Sequence, residues 1–217
     1  MIGERAMNTV VMLDGDLPSM IAVTAVREEM ELHRRNQSGA ASGTRIGVCA
    51  VPWVGSGPRV HAAVQRLADV EGWPVVRASM PELGDSIAPG VRESIGLMVC
   101  AHAAAVEGFS RVVWPATAGL GEGLDLDRLA AIVDRAMLCG RVVAIDANGH
   151  GQPAIHIEAP YADLTDRQIA DLALDLSVPL EGCWWWGGQD AATELARARW
   201  MPRLVEMGYV ADRGRDG

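Results

Sequence analysis

The chain contains no lysine, so all nineteen of its basic side chains are arginine. That absence excludes a lysine-bearing Walker-A loop and every mechanism that forms a Schiff base on a lysine. No apolar run reaches the length a bilayer crossing needs. Residues 1–7 carry an acid and lead straight into a strand-like run, without the basic-then-apolar order of a secretory leader. The expectation is a cytoplasmic protein without a membrane partner. Clustered positive charge is missing too: the net charge is −9 and arginines are scattered among acids, which argues against direct nucleic-acid binding. The four cysteines, Cys49, Cys100, Cys139 and Cys183, form no C-x-x-C pair and three lie in apolar runs, so they read as buried reduced thiols.

What is present is an alternation of short apolar runs with longer stretches of helical period, the pattern of stacked βαβ units. Strands are expected at Thr9–Leu13, Arg45–Val51, Pro74–Ala78, Arg111–Trp114 and Ala154–Glu158, with a further β-like piece at Arg141–Ile145. Helices are expected at Ser19–Arg35, Arg59–Glu71, Ala88–Glu107, Leu124–Leu138, Asp163–Ser177 and Gln189–Met207. The fifth is marked by a capping box, Thr165 with Gln168, and by the stripe Ile169, Leu172, Ala173, Leu176. Asn36–Thr44 reads as a polar loop and Gly119–Gly123 as a break. The fold class expected is α/β, a Rossmann-like doubly wound sandwich with a mostly parallel sheet. Residues 1–210 make one domain in this reading, and 211–217 a polar tail.

In such a sheet, ligands sit beyond the carboxyl ends of the strands, which directs attention to the turn after the first strand, Asp14-Gly15-Asp16-Leu17-Pro18-Ser19. A phosphate cradle needs glycines and free backbone N–H groups at a helix start. This turn has one glycine and two carboxylates. A tight acidic turn with Ser19 capping a helix is the plainer alternative.

Several strings, taken in order, resemble the PP-loop ATPases, and within them 7-cyano-7-deazaguanine synthase of the queuosine pathway. Val10 to Ser19 is similar to that group's apolar strand followed by S-G-G-x-D-S. Ile87-Ala88-Pro89-Gly90-Val91-Arg92, a long Ala-rich helix and Phe109 to Trp114 resemble its P-x-R-N, helix and strand. Ile155 to Ile169 resembles I-x-x-P-L-x-x-L-T-K-x-E-I, and Leu174 to Trp184 resembles L-G-V-P-x-x-x-T-W-S-C-Y. The resemblance implies an adenine nucleotide alpha-hydrolase-like fold of PP-loop type. It also implies ATP-dependent amide and nitrile formation, with magnesium on the phosphates and a structural zinc on a cysteine cluster. Asp14, Gly15, Asp16, Ser19 and Arg92 are the residues it would place at the nucleotide.

The departures fall on the residues that carry that chemistry. In the signature loop Asp14 replaces the first serine, Asp16 the second glycine and Pro18 the aspartate, leaving Gly15 and Ser19. Pro18 removes a donor, and the two acids put negative charge where pyrophosphate would lie. Cys183 matches the first cysteine of the zinc cluster, but no further thiol follows it, so zinc is not expected. Trp184, Trp185 and Trp186 stand there instead, as a local core or as an exposed contact surface, with Trp53 and Trp200 near in either case. His33, His61, His102, His150 and His156 show no metal-ligand spacing, and His102 reads as a satisfied histidine on an apolar helix. Asn148 to Gly151 reads as a simple turn.

Three readings stay open on the sequence alone. One is a PP-loop homologue that has lost ATP-dependent synthesis and acts as a regulatory protein binding a nucleotide or purine-like ligand. Another is an active synthase in which Asp14 and Asp16 hold a divalent cation that receives phosphate. The last is an interaction module, a homodimer or a protein partner's seat, built on the tryptophan loop.

Overall fold

A computed structural model describes residues 8–36, 44–51, 58–82, 87–149, 151 and 154–209. Trp53, His150, most of the loop expected at Asn36–Thr44 and the tail 211–217 lie outside them.

The first strand, β1 (Thr9–Leu13), is buried along its whole length. Val11 and Leu13 enter one apolar cluster and Val10 and Met12 the other, as alternation requires of a strand covered on both faces. It pairs in parallel with β2 (Ile46–Ala50), Thr9 opposite Ile46, and on its other side with β3 (Arg111–Val113), Thr9 opposite Arg111. The parallel edge strand β6 (His156–Glu158) joins β3 through Val112 and Ile157, so the sheet order is β2-β1-β3-β6. The strand expected at Pro74–Ala78 shrinks to one parallel bridge, Val75 to Val48, beside β2. Pro74 has no N–H to extend the ladder, and its position at the sheet edge fits that lack. Counting this bridge, the extended segments lie in chain order third, second, first, fourth, fifth, and the switch of direction falls between β1 and β3.

The helices cover both faces. On one side lie α1 (Leu17–Asn36), α2 (Pro58–Glu71), α5 (Asp166–Asp175) and α6 (Ala191–Glu206), around Ile21, Val64, Ile169 and Trp200. On the other lie α3 (Pro89–Val106) and α4 (Leu126–Asn148), around Leu97, Cys100, Ile132 and Val143. The expected capping box of α5 is formed: Thr165 accepts from the Gln168 N–H at 3.2 Å, and Gln168 accepts from the Thr165 N–H at 2.9 Å. Gly119 to Leu124 forms a small antiparallel hairpin, β4 (Gly119–Leu120) with β5 (Gly123–Leu124).

One expectation is corrected. Arg141–Ile145 is not β-like but forms the last turns of α4, which runs 23 residues. Gly140, buried within α4, faces β6 and the residue that leads into it. A side chain there would meet the Ile155 carbonyl and the Ile157 side chain at 3.7 and 3.8 Å. The helix continues because packing against β6 outweighs the β-preference of Val142, Val143 and Ile145.

Candidate functional site

The loop that links β1 to α1 lies at the carboxyl edge of the sheet, at the switch of direction, where open α/β sheets hold their ligands. Gly15 takes φ +77°, a left-handed conformation that admits glycine readily. The space above it is filled. The Trp184 N–H donates to the Gly15 carbonyl at 3.0 Å, and a methyl group at Gly15 would lie 3.3 Å from the Trp184 ring.

The loop's own oxygens occupy its amides. The Asp16 N–H donates to Asp14 Oδ1 at 2.9 Å, and the Leu17 N–H donates to Asp16 Oδ1 at 2.8 Å. Pro18 has no N–H, and both the N–H and the hydroxyl of Ser19 donate to the Asp16 carbonyl, at 3.1 and 2.8 Å. Asp16 Oδ1 also accepts the indole N–H groups of Trp185 and Trp200, each at 2.8 Å. These contacts tie the start of α1 to the tryptophan loop and to α6. A triphosphate does not fit this arrangement, because the donors it would need already face carboxylate and carbonyl oxygens.

Burial is the main influence on both acids. It lifts the Asp14 carboxyl above the usual range, partly offset by the Asp16 N–H. It lifts Asp16 to about 6, reinforced by the Asp14 charge and offset by the Leu17 and Trp185 donors.

Two recesses flank the loop. The first, about 180 Å³, is lined by Asp14, Asp16, Glu93, Trp114, Arg128 and Arg199 among others. Glu93 is 6% exposed and clamped by Arg128 through two bonds of 2.6 Å and by Arg135 at 2.9 Å. Those bonds hold the Arg128 guanidinium more firmly charged than usual. Arg199 bonds the buried Asp166 at 2.6 and 3.2 Å and stacks over Trp200 at 4.4 Å. The second recess, about 460 Å³, is lined chiefly by apolar groups, among them Leu13, Gly15, Met20, Val64 and Leu67, with Arg66, Glu71 and Glu181 as its charged members.

Asp14, Gly15, Asp16 and Ser19 thus converge on one loop between these recesses. Arg92 does not join them. Its Nε donates to the Ile87 carbonyl at 3.4 Å, at the start of α3, and its neighbour Glu93 lines the cleft instead. Glu93, Arg128 and Arg199 were not singled out in the sequence. Their only signal there was charge within amphipathic helices, which cannot be told from solvated charge until the helices are placed.

The tryptophan loop divides between its two readings. Trp185 and Trp200 are fully buried, and Trp184 and Trp186 are half-buried against the same core. Cys183 is buried beside them, and burial with the nearby Asp16 and Asp14 pushes its thiol far up. His102 bonds through both ring nitrogens, to the Met98 carbonyl and to Asp146, each at 2.9 Å, bridging α3 and α4 at the half-exposed surface rather than in the core. Among the described residues no three His, Cys, Asp or Glu side chains converge to hold a metal ion, and no helix is long and apolar enough to cross a membrane. No protein-family profile and no curated protein matches the chain.

Proposed function

We propose that this chain is a PP-loop-like protein, akin to 7-cyano-7-deazaguanine synthase, that binds a small purine-like molecule and does not turn over ATP. The observation that carries this reading is the engagement of the Asp16, Leu17 and Ser19 amides by the loop's own oxygens. In effect the Asp14 and Asp16 carboxylates serve as a built-in anion where a phosphate would sit. The strand order and the position of the loop at the sheet's carboxyl edge support the kinship.

The ligand class follows from the second recess. A largely apolar cavity of about 460 Å³ with a few polar groups suits a flat heterocycle, with Arg66 and Glu181 available to its edge. The cation-assisted synthase is the weaker reading, because Asp16 already receives three donors and Glu93 two guanidiniums.

Isothermal titration of the full chain with adenosine, AMP and ATP, with and without magnesium, tests the proposal alongside an assay for pyrophosphate release. The expected outcome is binding set by the base, unaffected by added phosphates or magnesium, with no pyrophosphate released. Leu67→Trp, which fills the recess, should abolish it. Pyrophosphate release that depends on Ser19 contradicts the non-catalytic reading, and a lack of any purine binding contradicts the ligand reading.

A further inference from the structure

Cys49 and Cys100 lie 51 residues apart in the chain, yet their sulfurs meet at 2.7 Å in the core. Both side chains are fully buried, on the face of the sheet that α3 and α4 cover. Cys49 reaches that face because it stands in β2 directly opposite Met12 of β1, and residues in register share a face. Cys100 belongs to the buried stripe of α3, which Glu93, Leu97, Ala101 and Ala104 continue at helical spacing. The sulfurs are already near the separation of a disulfide, about 2.05 Å, so a bond between them asks for adjustment of two side chains and little movement of β2 or α3.

The other two thiols are placed differently. Cys139 faces the Ser94 carbonyl at 3.8 Å, and Cys183 packs on the opposite face of the sheet. Two thiols are too few for a structural zinc site, and among the described residues no third His, Cys, Asp or Glu joins them. A resting nucleophile does not fit either, because contact with Cys49 and burial push the Cys100 thiol well up. We propose that Cys49 and Cys100 form a reversible disulfide when the protein meets a peroxide, tying the strand β2 to the helix α3.

Both sulfurs are enclosed, so oxidation waits on a local opening. The strand β2 permits one, because a single bridge, Val48 to Val75, pairs its outer edge. In the opened form one thiol releases its proton, and the thiolate attacks the O–O bond of the peroxide. That sulfur takes one oxygen as a sulfenic acid, while the other oxygen leaves as hydroxide and gains the proton to become water. The second thiol then displaces water from the sulfenic acid as the S–S bond forms. Two thiols and one hydrogen peroxide thus give one disulfide and two waters. The bond closes a loop of about 50 residues, which restricts the unfolded chain and raises stability. It also joins two walls of the first recess, since Val51 follows Cys49 by two residues and Glu93 precedes Cys100 by two turns. The proposal stands independently of the ligand reading, which concerns the second recess.

Thiol counting and peptide mapping of the full chain test it. Reduced protein, with its four thiols, is treated with a few equivalents of hydrogen peroxide. The treatment is run in buffer and again in urea well below the unfolding midpoint, so that opening does not limit the result. Because the chain has no lysine, trypsin places Cys49 in the peptide 46–59 and Cys100 in the peptide 93–111. The expected product retains two thiols, carries those two peptides joined, and regains all four thiols with dithiothreitol. Its urea midpoint should lie above that of the reduced protein. Neither Cys49→Ser nor Cys100→Ser should give any joined peptides, and the wild-type map decides the matter by itself where a variant folds poorly. Four thiols persisting in both conditions overturn the proposal, as do oxidation that stops at sulfinic acid on either residue and a crosslink between any other pair. A midpoint lowered by the crosslink overturns it too, because the fold would then have to distort to make the bond.

Discussion

Asp16 gathers the Leu17 amide and two indole N–H groups on a single carboxylate oxygen, which makes it the joint between the first loop, the tryptophan loop and α6. Asp16→Ala would leave both indoles without an acceptor in the core, and thermal unfolding should show a loss of about 2–4 kcal/mol. Asp16→Asn keeps an acceptor and removes the charge, so its effect is largest on pH dependence. The folded protein holds a proton on Asp16 up to about pH 6, whereas the unfolded chain releases it near 3.8. Between those values the native state binds more protons, so stability falls as pH rises through the window and levels off above it. Urea unfolding at a series of pH values should show that decline in the wild type and a flatter profile in Asp16→Asn. Gly15→Ala, strained at φ +77° and pressed against Trp184, should cost about 1–2 kcal/mol in the same measurement.

At the scale of the element, local chemistry was readable where the chain carried it in neighbouring residues. The Thr165–Gln168 capping box and the all-apolar β1 needed no tertiary knowledge. The end of α4 needed it, because Val142, Val143 and Ile145 prefer strands and only the contact of Gly140 with β6 shows why they stay helical. The Glu93 clamp was hidden for a similar reason: its partners lie 35 and 42 residues away on another helix. That clamp joins α3 to α4, and Glu93→Gln, by leaving two guanidiniums without their counter-charge, should destabilise the protein by about 3 kcal/mol in urea. The thiols are likewise placed by their elements. Cys49 of β2 and Cys100 of α3 meet at 2.7 Å, and Cys139 and Cys183 are buried as well. Burial pushes the Cys139 and Cys183 thiols up, and the Cys49 contact does so for Cys100. Iodoacetamide at mildly alkaline pH should therefore label denatured protein at all four positions and leave the native protein unlabelled.

For the molecule as a whole, the α/β class and the parallel sheet followed from the spacing of apolar runs, and the loop at its carboxyl edge followed from the order of elements. The cleft's arginines and the occupied space above Gly15 did not, since they depend on Arg128, Arg199 and Trp184, which come from elements far along the chain from that loop. The loop at residues 14–19 lies at the carboxyl edge of the sheet, and its Asp16, Leu17 and Ser19 donors are engaged from within. Amide chemical shifts of Gly15, Asp16, Leu17 and Ser19 during titration with magnesium and ATP test that claim most directly. The account predicts that the Asp16, Leu17 and Ser19 resonances stay in place while those of Val64 and Leu67 move. A marked downfield shift of the Asp16, Leu17 and Ser19 amides on adding the triphosphate would contradict it.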